Sequence, residues 1–365
     1  MASQSEIVAM GRAIELAARG LGTTSPNPVV GCVILDGGGA VVGEGFHAYA
    51  GGPHAEIIAL AQAGERARGG TVVVTLEPCD HHGMTGPCSA ALVNAGVARV
   101  VIGVTDPHTH AAGGVETLRK AGVDVEVGVR QGEVEAGNIA WLTAVRRRRP
   151  YLIWKYAATL DGRSAAADGT SMWITSEAAR MDVHAHRSTV DAVIVGVGTV
   201  LADNPQLTAR NLRDGSLAIR QPLRVVVDSD GRTPPDARIR DQAAPTWVAT
   251  AAELGSGGDD KQVDLSLLLA QLYERDVRAA LLEGGPRLAG AFLAAGLVDQ
   301  VICYLAPRLL GAGSAALIDA GVGTIADAIE LEFIDVTRIG PDLRVTALPR
   351  LVSSHQLASV AEVEG

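Results

Sequence analysis

Three side chains far apart in this sequence share one chemistry, and that limits what the chain can fold into. They are His54 in Pro53-His54-Ala55-Glu56, Cys79 in Glu77-Pro78-Cys79, and Cys88 in Pro87-Cys88. A fold that brings one imidazole and two thiols together makes a metal site. Zinc takes nitrogen and sulfur ligands in a tetrahedron, and a catalytic zinc keeps one position for water. Glu56, two residues past the histidine, is close enough to reach that water without ligating the metal. The arrangement suits hydrolytic removal of an amino group, in which the metal acidifies water and the carboxylate carries the proton to the leaving amine. The competing reading is a closed structural site with His81 or His82 as fourth ligand.

The pattern H-x-E…P-C-x-x-C is the known signature of zinc deaminases. This chain departs from it, because the second cysteine follows nine residues after the first. Pro53 favours a helix start, and Ile57, Ile58, Leu60 and Ala61 give residues 54–64 an apolar face, so His54 and Glu56 are expected at a helix N-terminus. Thr71–Leu76 reads as a buried strand that delivers Cys79 just past its end. Pro87 starts a second helix with Cys88 in its first turn, where the helix dipole favours the thiolate.

Around this motif the first half reads as alternating strands and helices. Ser3-x-x-Glu6 is a capping box ahead of Ile7, Met10, Ile14 and Ala17. Ser25-Pro26-Asn27-Pro28 is a rigid turn, with Asn27 suited to initiate it, before a strand over 29–35. Three glycines at 37–39 close a hairpin to 40–42, and His47 falls at a strand end. Arg99–Val104 is a buried strand; 115–121 reads as a helix, 123–129 as a strand and 133–145 as one closing helix. The expectation is a mostly parallel sheet covered on both faces, with the ligands at one edge. His108 and His110 read as loop residues without a role.

A length of 365 residues exceeds one ordinary core, so two domains are expected. With aromatic residues at 3%, the cores must be aliphatic. A net charge of −10 argues against a nucleic-acid partner, and no apolar run is long enough to span a membrane. The N-terminus has neither a basic segment nor an apolar one, so no signal peptide is expected. Cys32 and Cys303 lie in apolar runs as small core residues, a usage that fits a reducing cytoplasm.

Four arginines at 146–149 followed by Pro150 mark the boundary between the halves. A strand over 151–157 then opens the second. Residues 191–195 form a buried strand that ends in Gly196-Val-Gly198-Thr199; Leu201 rules out the dinucleotide fingerprint. Leu223–Val227 leads to Asp228-Ser229, and Ala279–Leu282 leads to Glu283-Gly284-Gly285-Pro286-Arg287 before a helix over 288–295. Two glycine pairs at strand ends in one half are candidates for holding an anionic nucleotide. A strand over 298–305, an antiparallel pair over 333–339 and 343–348, and a frayed polar tail complete the chain.

The chain resembles the bifunctional deaminase/reductase family of riboflavin biosynthesis over about residues 5–348. The first-half carriers are Pro26-Asn27-Pro28-Val29-Val30-Gly31-Cys32, Gly52-Pro53-His54-Ala55-Glu56 and Thr75-Leu76-Glu77-Pro78-Cys79-Asp80-His81-His82-Gly83, with the nine-residue step to Cys88. The second-half carriers are Leu160-Asp161-Gly162-Arg163, Trp173-Ile174-Thr175-Ser176, the segment from Thr199 to Asp203 and Pro205, and Glu283-Gly284-Gly285-Pro286.

The resemblance implies an α/β chain: a cytidine-deaminase-like three-layer domain over 1–146 and a dihydrofolate-reductase-like domain over 150–349; the polar residues 350–365 read as a flexible tail. It implies one zinc on His54, Cys79 and Cys88, Glu56 as proton shuttle, and pyrimidine contacts from Asn27, His47 and His81. NADPH contacts map to Ala157, Trp173, Thr199, Asp203, Ser229, Gly285, Pro286, Arg287, Leu288, Ala289, Gly290 and Ala291. Substrate contacts map to Lys155, Ser171, Arg187, Leu207, Arg210 and Glu283; the three cations suit a sugar phosphate. It further implies phosphoribosylaminopyrimidine substrates, a homo-oligomer (dimer or tetramer), a cytoplasmic location, and no nucleic-acid or membrane partner. Met84, Gly86 and Asp80 depart from the family pattern. Met84 removes a cation and Asp80 adds an anion beside Cys79, which makes a chain with an impaired deaminase and a working reductase the alternative.

Overall fold

A computed structural model describes residues 1–81, 86–108, 112–255 and 261–350; His82, Met84, His110 and the tail from 351 lie outside these described residues. The chain divides into two compact units, Met1–Tyr151 with Leu269–Arg278, and Leu152–Leu268 with the residues from Ala279 on.

In the first unit, helix α1 (Gln4–Ala18) begins at the capping box: Ser3 Oγ accepts from Glu6 N, and Glu6 Oε2 accepts from Ser3 N. Its buried face is Ala9, Met10, Ala13, Leu16 and Ala17, which leaves Ile7 exposed, so the stripe is rotated from the one read in the sequence. Five strands follow: β1 (Gly31–Leu35), β2 (Val41–Phe46), β3 (Thr71–Leu76), β4 (Arg99–Val104) and β5 (Asp124–Val127). They stand in the order β2-β1-β3-β4-β5. β1 is antiparallel to both β2 and β3, while β3, β4 and β5 run parallel. The sheet is therefore evenly mixed, not mostly parallel; the short glycine turn after β1 allows a hairpin where a parallel partner would need a long crossover.

Alternate strand residues face opposite layers. Cys32, Ile34, Val72, Val74, Val100 and Ile102 pack with residues of α2 (Ala55–Ala63), α3 (Cys88–Ala95) and α4 (Gly114–Lys120). Val33, Leu35, Val73 and Val101 pack with Met10, Ala13, Leu16, Trp141 and Leu142. Gly31 is where α1 crosses the sheet most closely: a Cβ there would stand 1.9 Å from Ala13 O. Only backbone movement could relieve that clash, so Gly31→Ala is expected to destabilise the protein by ~2–3 kcal/mol in denaturant unfolding.

The closing helix is two helices, α5 (Gln131–Gly137) and α6 (Ile139–Arg147). Asn138 breaks them apart because its side chain is committed elsewhere. Its Oδ1 accepts from Val29 N at 3.0 Å, and its Nδ2 donates to Val29 O at 2.7 Å. The amide imitates a strand partner for the residue just after the Pro26-Asn27-Pro28 turn.

The second unit is built on β6 (Tyr151–Thr159), β7 (Ala192–Gly196), β8 (Leu223–Val227), β9 (Thr246–Ala249), β10 (Ala279–Leu282), β11 (Gln300–Ala306), β12 (Leu331–Ile339) and β13 (Asp342–Pro349). The order is β12-β13-β11-β6-β10-β7-β8-β9, with β10, β7, β8 and β9 parallel and an antiparallel β12–β13 hairpin at one edge. Helices α7 (Glu177–Thr189), α8 (Val197–Asp203), α9 (Ala251–Leu254) and α11 (Pro286–Ala294) occupy connections; α10 (Leu265–Glu274) straddles the division, its residues from Leu269 on belonging to the first unit. The four residues of β10 and the first four of β7 are fully buried, which is why both read as unbroken apolar runs. Strand β9 and helix α8 have no counterpart in the sequence reading.

Candidate functional site

In the first unit, three different elements deliver the metal-ligand set. His54 caps α2, Cys79 follows β3, and Cys88 opens α3. His54 Nδ1 lies 3.5 Å from Cys79 Sγ and 3.3 Å from Cys88 Sγ, and the three atoms all fall within 4.8 Å of one another. Tetrahedral zinc arms of about 2.1–2.3 Å put neighbouring ligands about 3.6 Å apart, so the donor set fits zinc. Among the described residues no further His, Cys, Asp or Glu joins the group, and His81 is not part of it. The Cys88 thiol, and then the His54 ring, hold Cys79 well below the usual thiol range.

Glu56 sits in the first turn of the same helix and is 3% exposed. Burial pushes its carboxyl up to about 7. A carboxyl poised near neutrality is what acid–base chemistry asks for.

Asn27, His47, His54, Glu56, Cys79 and His81 line one cleft. His47 Nδ1 faces Pro53 O at 3.0 Å, and its Nε2 faces Asn27 Nδ2 at 3.3 Å. A carbonyl only accepts, so Nδ1 carries the hydrogen and Nε2 accepts from the Asn27 amide. Burial holds His47 below its ordinary range, in keeping with that neutral tautomer. The chain Pro53–His47–Asn27 thus fixes which way the Asn27 amide points.

Two residues at this site gain a role from the structure. Glu77, 7% exposed, accepts backbone N–H bonds from Asp106, Gly113 and Val115 at 3.0–3.1 Å, so it orders the chain leading into α4. Its signals in the sequence are an acid at the end of a buried strand and a place in the motif running to Cys79, neither of which gives this role. Asp80 accepts from the hydroxyls of Ser89, on α3, and Thr117, on α4. Its charge is tied to those two helices, which weakens the reason for expecting it to repel an anionic substrate.

In the second unit the two glycine turns stand side by side, as the parallel pairing of β7 and β10 requires. A Cβ on Gly285 would lie 3.7 Å from Thr199 Oγ1, and one on Gly196 would lie 3.5 Å from Leu288. Gly285 is the N-cap of α11, with Pro286 in its first turn. This is a crevice at the carboxyl ends of neighbouring parallel strands, with a helix N-terminus facing it.

Beside it lies a buried charge cluster. Arg187 grips Glu283 with two bonds, Nε to Oε1 at 2.6 Å and its terminal NH2 to Oε2 at 3.0 Å; Lys155 Nζ stands 3.7 Å from Oε2. Burial alone would raise Glu283, but the charges of Arg187 and Lys155 outweigh it and hold the carboxyl at about 2. Burial lowers Lys155 from its ordinary range. Arg187 also donates to Thr208 O at 3.2 Å, which ties it to the segment carrying Leu207 and Arg210. Leu207 is buried with φ of 55°, a left-handed conformation uncommon outside glycine.

The remaining predicted contacts are placed as follows. Ser171 Oγ donates to Asp203 Oδ1 at 3.1 Å. Trp173 is 60% exposed; its ring lies 4.4 Å from the Arg180 guanidinium, and its carbonyl accepts from Arg308 at 2.7 Å. Ser229 Oγ accepts from Val263 N at 3.3 Å, and Arg287 is exposed at the start of α11. Ala157 lies on β6 opposite Tyr304. Cys303, expected in the core, is only partly buried.

Comparison with known proteins adds identity to this geometry. Residues 150–345 match the family model described as RibD C-terminal domain, and residues 3–104 match the cytidine and deoxycytidylate deaminase zinc-binding region. The riboflavin biosynthesis protein RibD of Mycobacterium tuberculosis is 48% identical over 94% of this chain and 97% of its own length. The Escherichia coli protein of the same name is 44% identical over 92% and 96%. Among solved structures, Acinetobacter baumannii RibD is 41% identical, with a TM-score of 0.85 over 95% of this chain and 99% of its own. A Thermotoga maritima diaminohydroxyphosphoribosylaminopyrimidine deaminase/5-amino-6-(5-phosphoribosylamino)uracil reductase is 37% identical, with a TM-score of 0.84 over the same shares.

Proposed function

The chain belongs to the family of riboflavin biosynthesis protein RibD, and on that premise we propose how its residues divide the work. It is a zinc-dependent deaminase and an NADPH-dependent reductase of riboflavin biosynthesis. In our reading the deaminase occupies residues 1–146 and the reductase 150–349. The first hydrolyses the 2-amino group of 2,5-diamino-6-(5-phosphoribosylamino)pyrimidin-4-one. The second reduces the ribosyl group of 5-amino-6-(5-phosphoribosylamino)uracil to ribityl. The names of the Thermotoga relative's two activities support this choice.

The observation that carries the deaminase reading is the convergence of His54, Cys79 and Cys88 with a buried Glu56 on the same helix as His54. Zinc on those three ligands supplies the Lewis acidity that makes water a nucleophile at neutral pH. Glu56 takes a proton from the attacking water, passes it to the ring nitrogen, and moves the second proton to the departing amine. Asn27, with its amide turned by His47, holds the pyrimidine edge, with His47 and His81 as further contacts.

In the reductase half, the Thr199 and Gly285 turns would hold NADPH, which would supply the hydride. Lys155, Arg187 and Arg210 hold the sugar phosphate, while Glu283 keeps the first two charged and fixed in a buried place. Separate assays of ammonia release and NADPH oxidation test the two halves, with zinc content determined on the same sample. About one zinc per chain together with both turnovers is the expected result; zinc without ammonia release would sink the deaminase reading.

We also propose that the protein is a cytoplasmic homo-oligomer, with β12 as the contact. This edge strand leaves Phe333 69%, Ile334 56% and Val336 55% exposed. A long apolar edge in a stable protein calls for a partner. Phe333→Glu should shift the mass measured by light scattering towards the monomer. Among the described residues no helix is long and apolar enough to cross a membrane.

A further inference from the structure

Arg210 is carried on the loop whose Thr208 carbonyl accepts from Arg187 at 3.2 Å, yet a loop alone would not hold a guanidinium in place. A line of polar side chains behind it does. Arg224, on β8, is fully buried and donates to Asp241 Oδ1 at 2.8 Å, to the Asp241 carbonyl at 2.6 Å and to Ala244 O. The same guanidinium reaches Gln206 O at 3.2 Å, which fixes the loop backbone. The other carboxylate oxygen, Asp241 Oδ2, accepts from Gln206 Nε2 at 2.6 Å. A carboxylate can only accept, so this bond decides the amide's orientation. Gln206 Oε1 is thereby turned to Arg210, whose NH2 donates to it at 2.9 Å, while its NH1 donates to Gly215 O at 2.9 Å.

We propose that Gln206 and Asp241 are positioning residues for the reductase, holding Arg210 so that its guanidinium meets the phosphate of the substrate. Neither touches substrate or cofactor. Arg224 anchors Asp241, Asp241 orients Gln206, and Gln206 fixes Arg210. Ala209, the neighbouring residue, is pinned on both its N–H and its carbonyl by Gln221, at 2.8 and 2.9 Å, so the loop backbone is already held without Gln206. The Gln206 side chain is thus left to set the side chain of Arg210 rather than the path of the loop. The inference rests on the proposed role of Arg210 as a phosphate contact.

The test uses the full chain loaded with zinc and NADPH. Gln206→Leu should raise KM for the phosphorylated uracil substrate about tenfold, the worth of one charge-assisted hydrogen bond, and leave kcat within about twofold. KM for the same substrate without its phosphate, NADPH affinity and the deaminase rate should not move. Gln206→Glu alone sets two carboxylates against each other and should also raise KM. Adding Asp241→Asn exchanges donor for acceptor along the same line, and the double variant should recover most of the loss. Arg210→Met separates the two ways of failing. If Arg210→Met raises KM and Gln206→Leu does not, the positioning role is overturned. If Arg210→Met itself leaves KM unchanged, the phosphate reading of Arg210 falls and takes the inference with it. Equal losses with and without the phosphate, together with weakened NADPH binding, would make Gln206 a purely structural residue and also overturn the proposal.

Discussion

Glu56→Gln should keep about one zinc per chain yet lower deamination by ~10³-fold, with NADPH oxidation unchanged. The glutamine keeps the shape and the hydrogen-bonding reach of the side chain but cannot take up a proton. Zinc retention is expected because Glu56 stands outside the ligand set of His54, Cys79 and Cys88. His54→Ala should lose metal and activity together. Metal analysis beside the ammonia assay checks both, and equal zinc loss in the two variants would contradict a shuttle role for Glu56.

Glu283→Gln is expected to cost about 3–5 kcal/mol of stability in the reductase half, because it leaves two buried cations without their anion. Lys155 and Arg187 both face this carboxylate, whose side chain is 8% exposed. The same pair predicts an acid dependence. Glu283 is held at about 2 in the fold, below its ordinary value of 4.5. Its contribution is therefore complete above about pH 4.5 and is lost as the pH falls from there towards 2. Denaturant unfolding followed from pH 7 to 3 should show a falling stability in the parent and a flatter profile in Glu283→Gln. Parallel profiles would mean that Glu283 does not carry the acid sensitivity.

The convergence of His54, Cys79 and Cys88 beside a buried Glu56 was legible because its chemistry is written in residue type: histidine and cysteines at these spacings suit a metal. Strands such as Arg99–Val104, Leu223–Val227 and Ala279–Leu282 were legible to the residue because they are buried on both faces. What escaped depends on partners distant in sequence. Asn138 lies inside a helical periodicity and breaks it only because Val29, 109 positions away, needs an amide. Gln206 and Asp241 are unremarkable polar letters until the fold sets them 2.6 Å apart. Strand β9 has only four residues, with one of them fully buried, too short a run to declare its period.

The pairing of Asn138 with Val29 also says where this protein can be cut. The zinc-binding match ends at residue 104, and everything up to there includes all three ligands and Glu56. A fragment stopped at that point would still carry the metal chemistry but would release the segment that presents Asn27, because the side chain that clamps Val29 has not yet been made. On the ribosome, the clamp on Val29 can form only after residue 138 has emerged. A fragment that keeps the clamp on Val29 therefore has to run at least to Asn138, some thirty residues beyond the zinc-binding match.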